Sequence, residues 1–272
     1  MKKKILIIGK KSFISFNLVK DLKNIFNINT VSIESFFKLN NKILSSFDCI
    51  INCAISKSYV NKKYQKNYDF DYKIACKIKN FDILYIFLST RKVYKLGNNL
   101  KETLKTNPQC NYSKNKLITE QKLLELLKNK ILILRISNII GICKNNNRKI
   151  HNTFIYQFFS NIKNKFIYDN KKNYKDFLST SQFAKIVEQL IKKKSHGIFN
   201  VSIGKKVYLK ELINWLNYYN ERKYQYIKLP SNFERENFYL NNLKLIKETK
   251  LRISLTKLKK DCKIISKLYF KK

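Results

Sequence analysis

The sequence predicts an α/β protein: a doubly wound, mostly parallel sheet with a small second domain toward the C-terminus. Three observations carry this. The chain opens on a continuous apolar stretch, Lys4 to Ile8, which stops at Gly9 and gives way to a helical pattern from Ser12. An apolar run without polar alternation is what a strand buried on both faces requires. Further strand patterns at Phe47–Ala54, Leu84–Thr90 and Ile131–Ile136 alternate with stretches of helical periodicity, the order of repeated βα units. The opening strand, glycine turn and helix also form the unit that aims backbone N–H groups at a pyrophosphate.

Taken in order, Ser12 to Ile25 reads as the first helix, Asn29 to Glu34 as a strand and Phe36 to Leu44 as a short helix. Phe47 to Ala54 is a buried strand, and Tyr59 to Lys79 reads as one long helix. Leu84 to Thr90 is an apolar strand ending in Ser-Thr, Asn111 to Leu127 a helix, and Ile131 to Gly141 a strand. The chain then loosens over Lys144–Lys149, and a helix is expected from His151 to Ile162. Phe183–Lys192 reads as a helix, Gly197–Val201 as a strand and Leu209–Tyr219 as an amphipathic helix around Trp215. No internal repeat and no linker interrupts the chain. The expected division is residues 1–140 plus about 175–203 for one domain, and about 141–174 plus 204–272 for the other.

The 272 residues suffice for a large core. Formal net charge is +39, which alone would suggest a nucleic-acid or anionic-membrane partner. Two features argue otherwise. Only six of the 57 basic residues are Arg, the side chain preferred for phosphate and base recognition. The lysines are also spread along the whole chain, and their excess accompanies an excess of Asn, Ile, Phe and Tyr, as an AT-rich genome gives. No specific nucleic-acid partner is expected. No apolar run reaches the roughly 18 residues of a membrane helix, and the run after the N-terminal lysines ends at Ile8, too short for a secretory signal. The six cysteines form no Cys-x-x-Cys pair, and the two histidines, His151 and His196, stand apart. No metal site is expected, and the cysteines read as reduced in a cytoplasmic protein.

On the helix opening at Asn111, Tyr112 and Lys116 are four positions apart and share a face. A phenol with a pKa near ~10 is a poor base at neutral pH. An adjacent ammonium stabilises the phenolate and lowers that pKa, giving a group able to donate and accept a proton. By itself the pair is weakly specific in a chain with 17 tyrosines and so many lysines. Its neighbours add specificity: Ser89-Thr90-Arg91-Lys92-Val93-Tyr94 upstream, Glu120 four residues beyond Lys116, and Leu134-Arg135-Ile136-Ser137-Asn138-Ile139-Ile140-Gly141 downstream.

In this order and spacing the blocks resemble the extended short-chain dehydrogenase/reductase family, the nucleotide-sugar epimerases and reductases. Further matches run nearly the whole chain: Asn52-Cys53-Ala54 for Asn-Ala-Ala, Leu100-Lys101-Glu102 and Pro108 before the catalytic helix, and Lys175-Asp176-Phe177-Leu178 for Arg-Asp-Phe-Ile after a hairpin from Phe166. Gly197-Ile198-Phe199-Asn200-Val201 matches Gly-x-Tyr-Asn-Val, and Leu240 to Leu258 fits the closing helical segment.

The resemblance implies a Rossmann-like fold with a small C-terminal substrate-binding domain and an NAD or NADP cofactor, the choice open. It implies hydride transfer at a sugar carbon of a nucleotide sugar. Tyr112 would be the acid/base, Lys116 its pKa-lowering and ribose-holding partner, and Thr90 the hydrogen-bond donor to the reacting oxygen. Gly9, Ser12, Phe13, Ile14, Cys53, Ala54, Asn67 and Ile136 would contact cofactor, and Asn138 and Arg148 substrate. The glycine turn departs from the family: Gly9-x-x-Ser12-x-x-Ser15 stands for Gly-x-x-Gly-x-x-Gly, and an added side chain crowds a close backbone approach. There is also room for about one strand where the family has two between the first helix and Phe47. Glu34 is therefore the candidate for the adenosine ribose, and a solvated Glu fits that position equally. Arg91-Lys92 replaces the Asp-Glu pair of the 4,6-dehydratases, which excludes dehydration. A ketoreductase is expected first and a C4-epimerase second. The altered turn also keeps open a binding-only member that has lost turnover. A homodimer is an open option.

Overall fold

The computed structural model describes residues 2–141, 159, 161, 166–169, 173–221, 225–228 and 236–270. The sheet starts with β1 (Lys4–Ile8), and α1 (Phe13–Leu22) leads from its end to β2 (Asn27–Val31). Two short helices, α2 (Ile33–Phe37) and α3 (Asn41–Leu44), return the chain to β3 (Cys49–Asn52). Then come α4 (Lys57–Asn61), a 3₁₀ turn (Lys66–Tyr68), α5 (Phe70–Ile78), β4 (Leu84–Thr90), α6 (Asn111–Leu127) and β5 (Ile131–Ile136). Beyond them run β6 (Asn138–Ile140), β7 (Phe166–Asp169), β8 (Tyr174–Lys175), β9 (Phe177–Ser179), α7 (Thr180–Lys192) and β10 (Gly197–Val201). The last elements are β11 (Val207–Tyr208), α8 (Leu209–Leu216), β12 (Gln225–Lys228), α9 (Leu243–Thr249) and α10 (Leu255–Phe270).

The six-stranded main sheet has the order β10-β5-β4-β3-β1-β2, and every pairing in it is parallel. This is the Rossmann-like, doubly wound arrangement. The winding reverses between β2 and β3, so a crevice opens where the C-terminal ends of β1 and β3 diverge, the place such sheets bind ligands. Successive strand residues point to opposite faces, and both faces are covered. Ile5, Ile7, Leu132 and Leu134 pack with Leu18, Leu22, Phe183, Val187 and Leu190 on the α1/α7 side. Leu6, Ile8, Ile131 and Ile133 pack with Ile74, Ile78, Leu123 and Leu127 on the α5/α6 side. Three two-stranded pairs lie outside this sheet: β11 with β8, β12 with β7 and β6 with β9. Among the described residues no helix is long and apolar enough to cross a membrane.

Side-chain caps account for most departures from the expected element boundaries. The strand expected to reach Glu34 ends at Val31 because the Ser32 hydroxyl accepts from Ser35 N–H (3.1 Å) and starts α2. The helix expected over 36–44 is divided because Asn40 Oδ1 accepts from Ile43 N–H (2.9 Å) and starts α3. The helix expected over 59–79 is broken: Asp69 Oδ1 accepts from Tyr72 N–H (3.0 Å) and starts α5 afresh. The strand expected to run to Gly141 leaves the main sheet after Ile136, and its continuation, β6, pairs with β9 instead.

A buried carboxyl group joins the C-terminal segments to this frame. Asp176 is fully buried and accepts N–H bonds from Ile203 (3.1 Å), Gly204 (3.2 Å) and Leu240 (3.0 Å).

Candidate active site

The turn after β1 carries a glycine for a steric reason. Gly9 has φ +99°, and a Cβ there would lie 2.8 Å from Ala54 N and 2.9 Å from the Cys53 carbonyl carbon. The β1 turn and the Cys53–Ala54 segment thus meet backbone to backbone at the mouth of the crevice. Cys53 N–H donates to Ile8 O (2.8 Å), Ala54 N–H donates to Asn52 Oδ1 (2.9 Å), and Gly9 N–H donates to Val31 O (2.9 Å). Burial pushes the Cys53 thiol well above its ordinary pKa, so it stays protonated.

Ser12 occupies the N-cap position of α1, and its side chain makes no capping bond. Its N–H is engaged with Gly9 O at 2.8 Å, so it is not the donor that would face a phosphate. The first helical bond runs from Phe16 N–H to Ser12 O. The N–H groups of the first turn, including Phe13 and Ile14, therefore have no intrahelical acceptor, and the dipole at this end favours an anion. Ser15 is buried at 1% exposure. These features fit a dinucleotide pyrophosphate at this turn.

Two sequence-expected cofactor contacts sit elsewhere than expected. Glu34 lies in the first turn of α2 and is exposed, its carboxyl held below the usual range by the Ser32 hydroxyl. Asn67 is exposed on the 3₁₀ turn ahead of α5 rather than on a helix. Arg148 lies outside the described residues. Ile136 ends β5 directly opposite Thr90 at the end of β4. Asn138 begins β6 and donates its N–H to Asp176 O (3.3 Å).

The catalytic candidates lie on β4 and on the helix packed against it. Thr90 is the last residue of β4, 8% exposed, and its hydroxyl oxygen accepts from Lys92 N–H (3.2 Å). The helix α6 packs across β4 and the 3₁₀ turn after it. Tyr112, on its first turn, is half-buried. Lys116 is buried, its Nζ 4.3 Å from the Phe87 ring centroid and 5.6 Å from that of Tyr59.

Two buried polar networks hold α6 in place. In the first, Lys116 Nζ lies 3.7 Å from Asp71 Oδ2, while Asp71 Oδ1 accepts from Tyr85 OH (2.6 Å) and Asn52 Nδ2 (2.8 Å). Beside it Thr119 Oγ1 donates to Asp69 Oδ2 (2.7 Å) and meets Tyr59 OH at 2.7 Å. In the second, Arg135 grips Glu120 through Nε (3.1 Å to each oxygen) and Nη2 (2.6 Å). Glu120 also accepts from Ser89 Oγ. Arg135 Nη1 donates to Tyr94 OH (2.8 Å), which donates to Asn200 Oδ1 (2.9 Å). The Glu, Arg, Val-Tyr and Asn blocks of the sequence are thus one connected structure joining α6 to β4, β5 and β10.

Asp71 did not emerge from the sequence reading. A signal for it exists: Asp71, Ile74, Ala75 and Ile78 recur at helical spacing on the buried face, so a carboxylate occupies a core position in a chain with only 18 acids. Burial pushes the Asp71 carboxyl above the usual range, and the Lys116 ammonium pulls it back.

No protein-family model and no curated protein sequence matches the chain. Solved structures do match, over essentially the whole length. The UDP-N-acetylglucosamine 4-epimerase of Methanobrevibacter ruminantium M1, in complex with UDP-N-acetylmuramic acid, superposes with a TM-score of 0.79 at 21% identity, covering 99% of each chain. A dTDP-4-dehydrorhamnose reductase of Bacillus anthracis, in complex with NADP, gives 0.78 at 16% identity, again covering 99% of each. The dTDP-glucose 4,6-dehydratase of Bacillus anthracis, in complex with NAD, gives 0.75 at 15% identity, covering 98% of this chain and 96% of that one. From end to end, the chain has the fold of the nucleotide-sugar epimerases, reductases and dehydratases of the extended short-chain dehydrogenase/reductase family.

Proposed function

We propose that this protein is an NAD(P)-dependent nucleotide-sugar oxidoreductase that reduces a keto group on the sugar. What supports the reading is that α6, which carries Tyr112 and Lys116, packs across β4 and the turn that follows Thr90, in a sheet whose Gly9 turn meets the Cys53–Ala54 segment backbone to backbone. In this reading the first-turn N–H groups of α1 hold the pyrophosphate. The bound nicotinamide supplies the hydride. Thr90 donates a hydrogen bond to the carbonyl oxygen, and Tyr112 gives that oxygen its proton as the alcohol forms. Lys116 stabilises the resulting phenolate, and a proton from solvent restores the phenol. The second reading, a C4-epimerase, is favoured by the likeness in fold to a UDP-N-acetylglucosamine 4-epimerase. There the same groups would act in both directions, Tyr112 first taking a proton and then returning it.

Arg91 and Lys92, where 4,6-dehydratases carry their acidic pair, leave no acid there for dehydration. A reducing, cytoplasmic setting goes with this reading. A homodimer is the assembly to look for by light scattering. The deciding experiment follows NAD(P)H absorbance with nucleotide 4-ketosugars and nucleotide hexoses. A reductase consumes one NAD(P)H per sugar. An epimerase interconverts C4 isomers with no net change in absorbance. A protein that binds cofactor and does neither is the binding-only member, and that result would sink both readings.

A further inference from the structure

The residue after Thr90 is a buried cation with no acceptor among the described residues. Arg91 is 8% exposed, and among the described residues its guanidinium makes no hydrogen bond and no ion pair. Its Nε is fully buried and unsatisfied. Its planar head lies over the Phe238 ring, 3.9 Å from the centroid. Other charges surround it without satisfying it. Lys92, next in the chain, is exposed and of the same sign. The thiol of Cys110, which precedes the first turn of α6, is a weak electrostatic partner. Glu236 attracts Arg91 but is bound by Lys175 at 2.8 Å, with its side chain 58% exposed. Holding the guanidinium Nε out of water with no acceptor is costly, and a face-on ring offsets only part of that cost. A stacked, planar fork with free N–H groups is what bidentate recognition of an oxyanion uses.

The position of Arg91 identifies which oxyanion. This step rests on the oxidoreductase reading, in which Thr90 holds the reacting oxygen of the sugar. Consecutive Cα atoms are about 3.8 Å apart, so the Arg91 backbone adjoins the residue that holds the reacting oxygen in that reading. In a nucleotide sugar the diphosphate hangs from the anomeric carbon, across the ring from C4. We propose that Arg91, with Lys92 beside it, is a carboxylate-recognition point, and that the substrate's sugar carries a carboxyl group next to the reacting carbon. A nucleotide uronic acid has that chemistry, and so does a sugar with a carboxyalkyl ether.

The test uses calorimetry on the full chain saturated with NAD(H) or NADP(H), with UDP-glucuronic acid and UDP-glucose as probes. Both carry the diphosphate, and only the first carries a sugar carboxylate. The wild type is expected to bind UDP-glucuronic acid about tenfold more tightly, the scale of a charge-assisted pair. Arg91→Gln should abolish that preference and leave UDP-glucose binding within about twofold; Arg91→Lys should keep part of it. Equal weakening of both probes by Arg91→Gln means a diphosphate or scaffolding role and overturns the proposal. So does an unchanged preference, or a wild type that binds cofactor without preferring the uronate. If Arg91→Gln does not fold, Arg91→Lys and the wild-type preference decide. A wild type that binds neither NAD(H) nor NADP(H) fails at the earlier step and overturns the oxidoreductase reading with it.

Discussion

Lys116 Nζ stands 3.7 Å from Asp71 Oδ2, with both side chains 6% exposed. The ammonium on the Tyr112 helix thus has its counter-charge on another helix some forty residues earlier in the chain. Asp71→Asn removes the negative charge, keeps the shape and leaves Lys116 buried without its anion. Stability should fall by about 3 kcal/mol, the scale of breaking a buried pair. Urea unfolding of the wild type and the variant checks this, and an unchanged unfolding free energy would mean that the pair does not hold α6 in place.

Burial, and not distance, should decide what each ion pair is worth. The Arg135–Glu120 contact is 2.6 Å with side-chain exposures of 5% and 1%, and Lys175–Glu236 is 2.8 Å with 25% and 58%. Glu120→Gln leaves Arg135 buried without its anion and Ser89 and Tyr94 without their full network, and should cost about 3–5 kcal/mol. Glu236→Gln should cost less than about 1 kcal/mol. Urea unfolding of the two variants checks this. Comparable losses would refute the assignment of Glu120 as the anchor of α6.

Legibility followed the range of the interactions. The strands Lys4–Ile8 and Ile131–Ile136 were readable because being buried on both faces forces an unbroken apolar run. The helix at Asn111 was readable because its buried face repeats at helical spacing, and the Tyr112, Lys116 and Glu120 spacing survives into the site. The break at Asp69 is local chemistry: a capping Asp sits inside a pattern that otherwise reads as one helix. What Asp71 and Arg91 do is set by Asn52, Tyr85, Lys116 and Phe238, which only the fold brings to them. The same holds for Ser12, whose N–H is taken by Gly9 O, a detail of turn geometry that Gly-x-x-Ser does not encode.

Asp176 should make stability depend on pH. Burial raises its carboxyl to about 7, against the pull of its three backbone N–H donors. In the unfolded chain an Asp has a pKa near ~3.9. The folded state thus holds the proton more tightly, so stability from this group is fully present below the unfolded value and is lost as pH rises through the folded one. The unfolding free energy of the wild type minus that of Asp176→Asn should fall by about 1.4 kcal/mol per unit between roughly pH 4 and 7, then level off. A difference independent of pH would mean that the N–H bonds win over burial and keep the carboxylate ionised.

The altered phosphate turn gives the last test. At Gly9 a Cβ would strike Ala54 N and the Cys53 carbonyl carbon, both backbone atoms, at a φ of +99° that L side chains rarely adopt. Gly9→Val should therefore eliminate NAD(H) and NADP(H) binding and lower stability by about 1–3 kcal/mol or more, since strain at such a conformation is of that size. Ser12 behaves differently, because its N–H is internally bonded to Gly9 O and its side chain caps nothing. Ser12→Gly should keep or improve cofactor affinity, since it only clears space in front of the α1 N-terminus. Ser12→Leu should block binding by filling that space. Calorimetry with both cofactors reads all three variants. Wild-type binding that survives Ser12→Leu unchanged would show that the pyrophosphate is not at this turn. A wild type that binds neither cofactor, with binding restored by Ser12→Gly, would mark a lapsed enzyme whose serine closed the site.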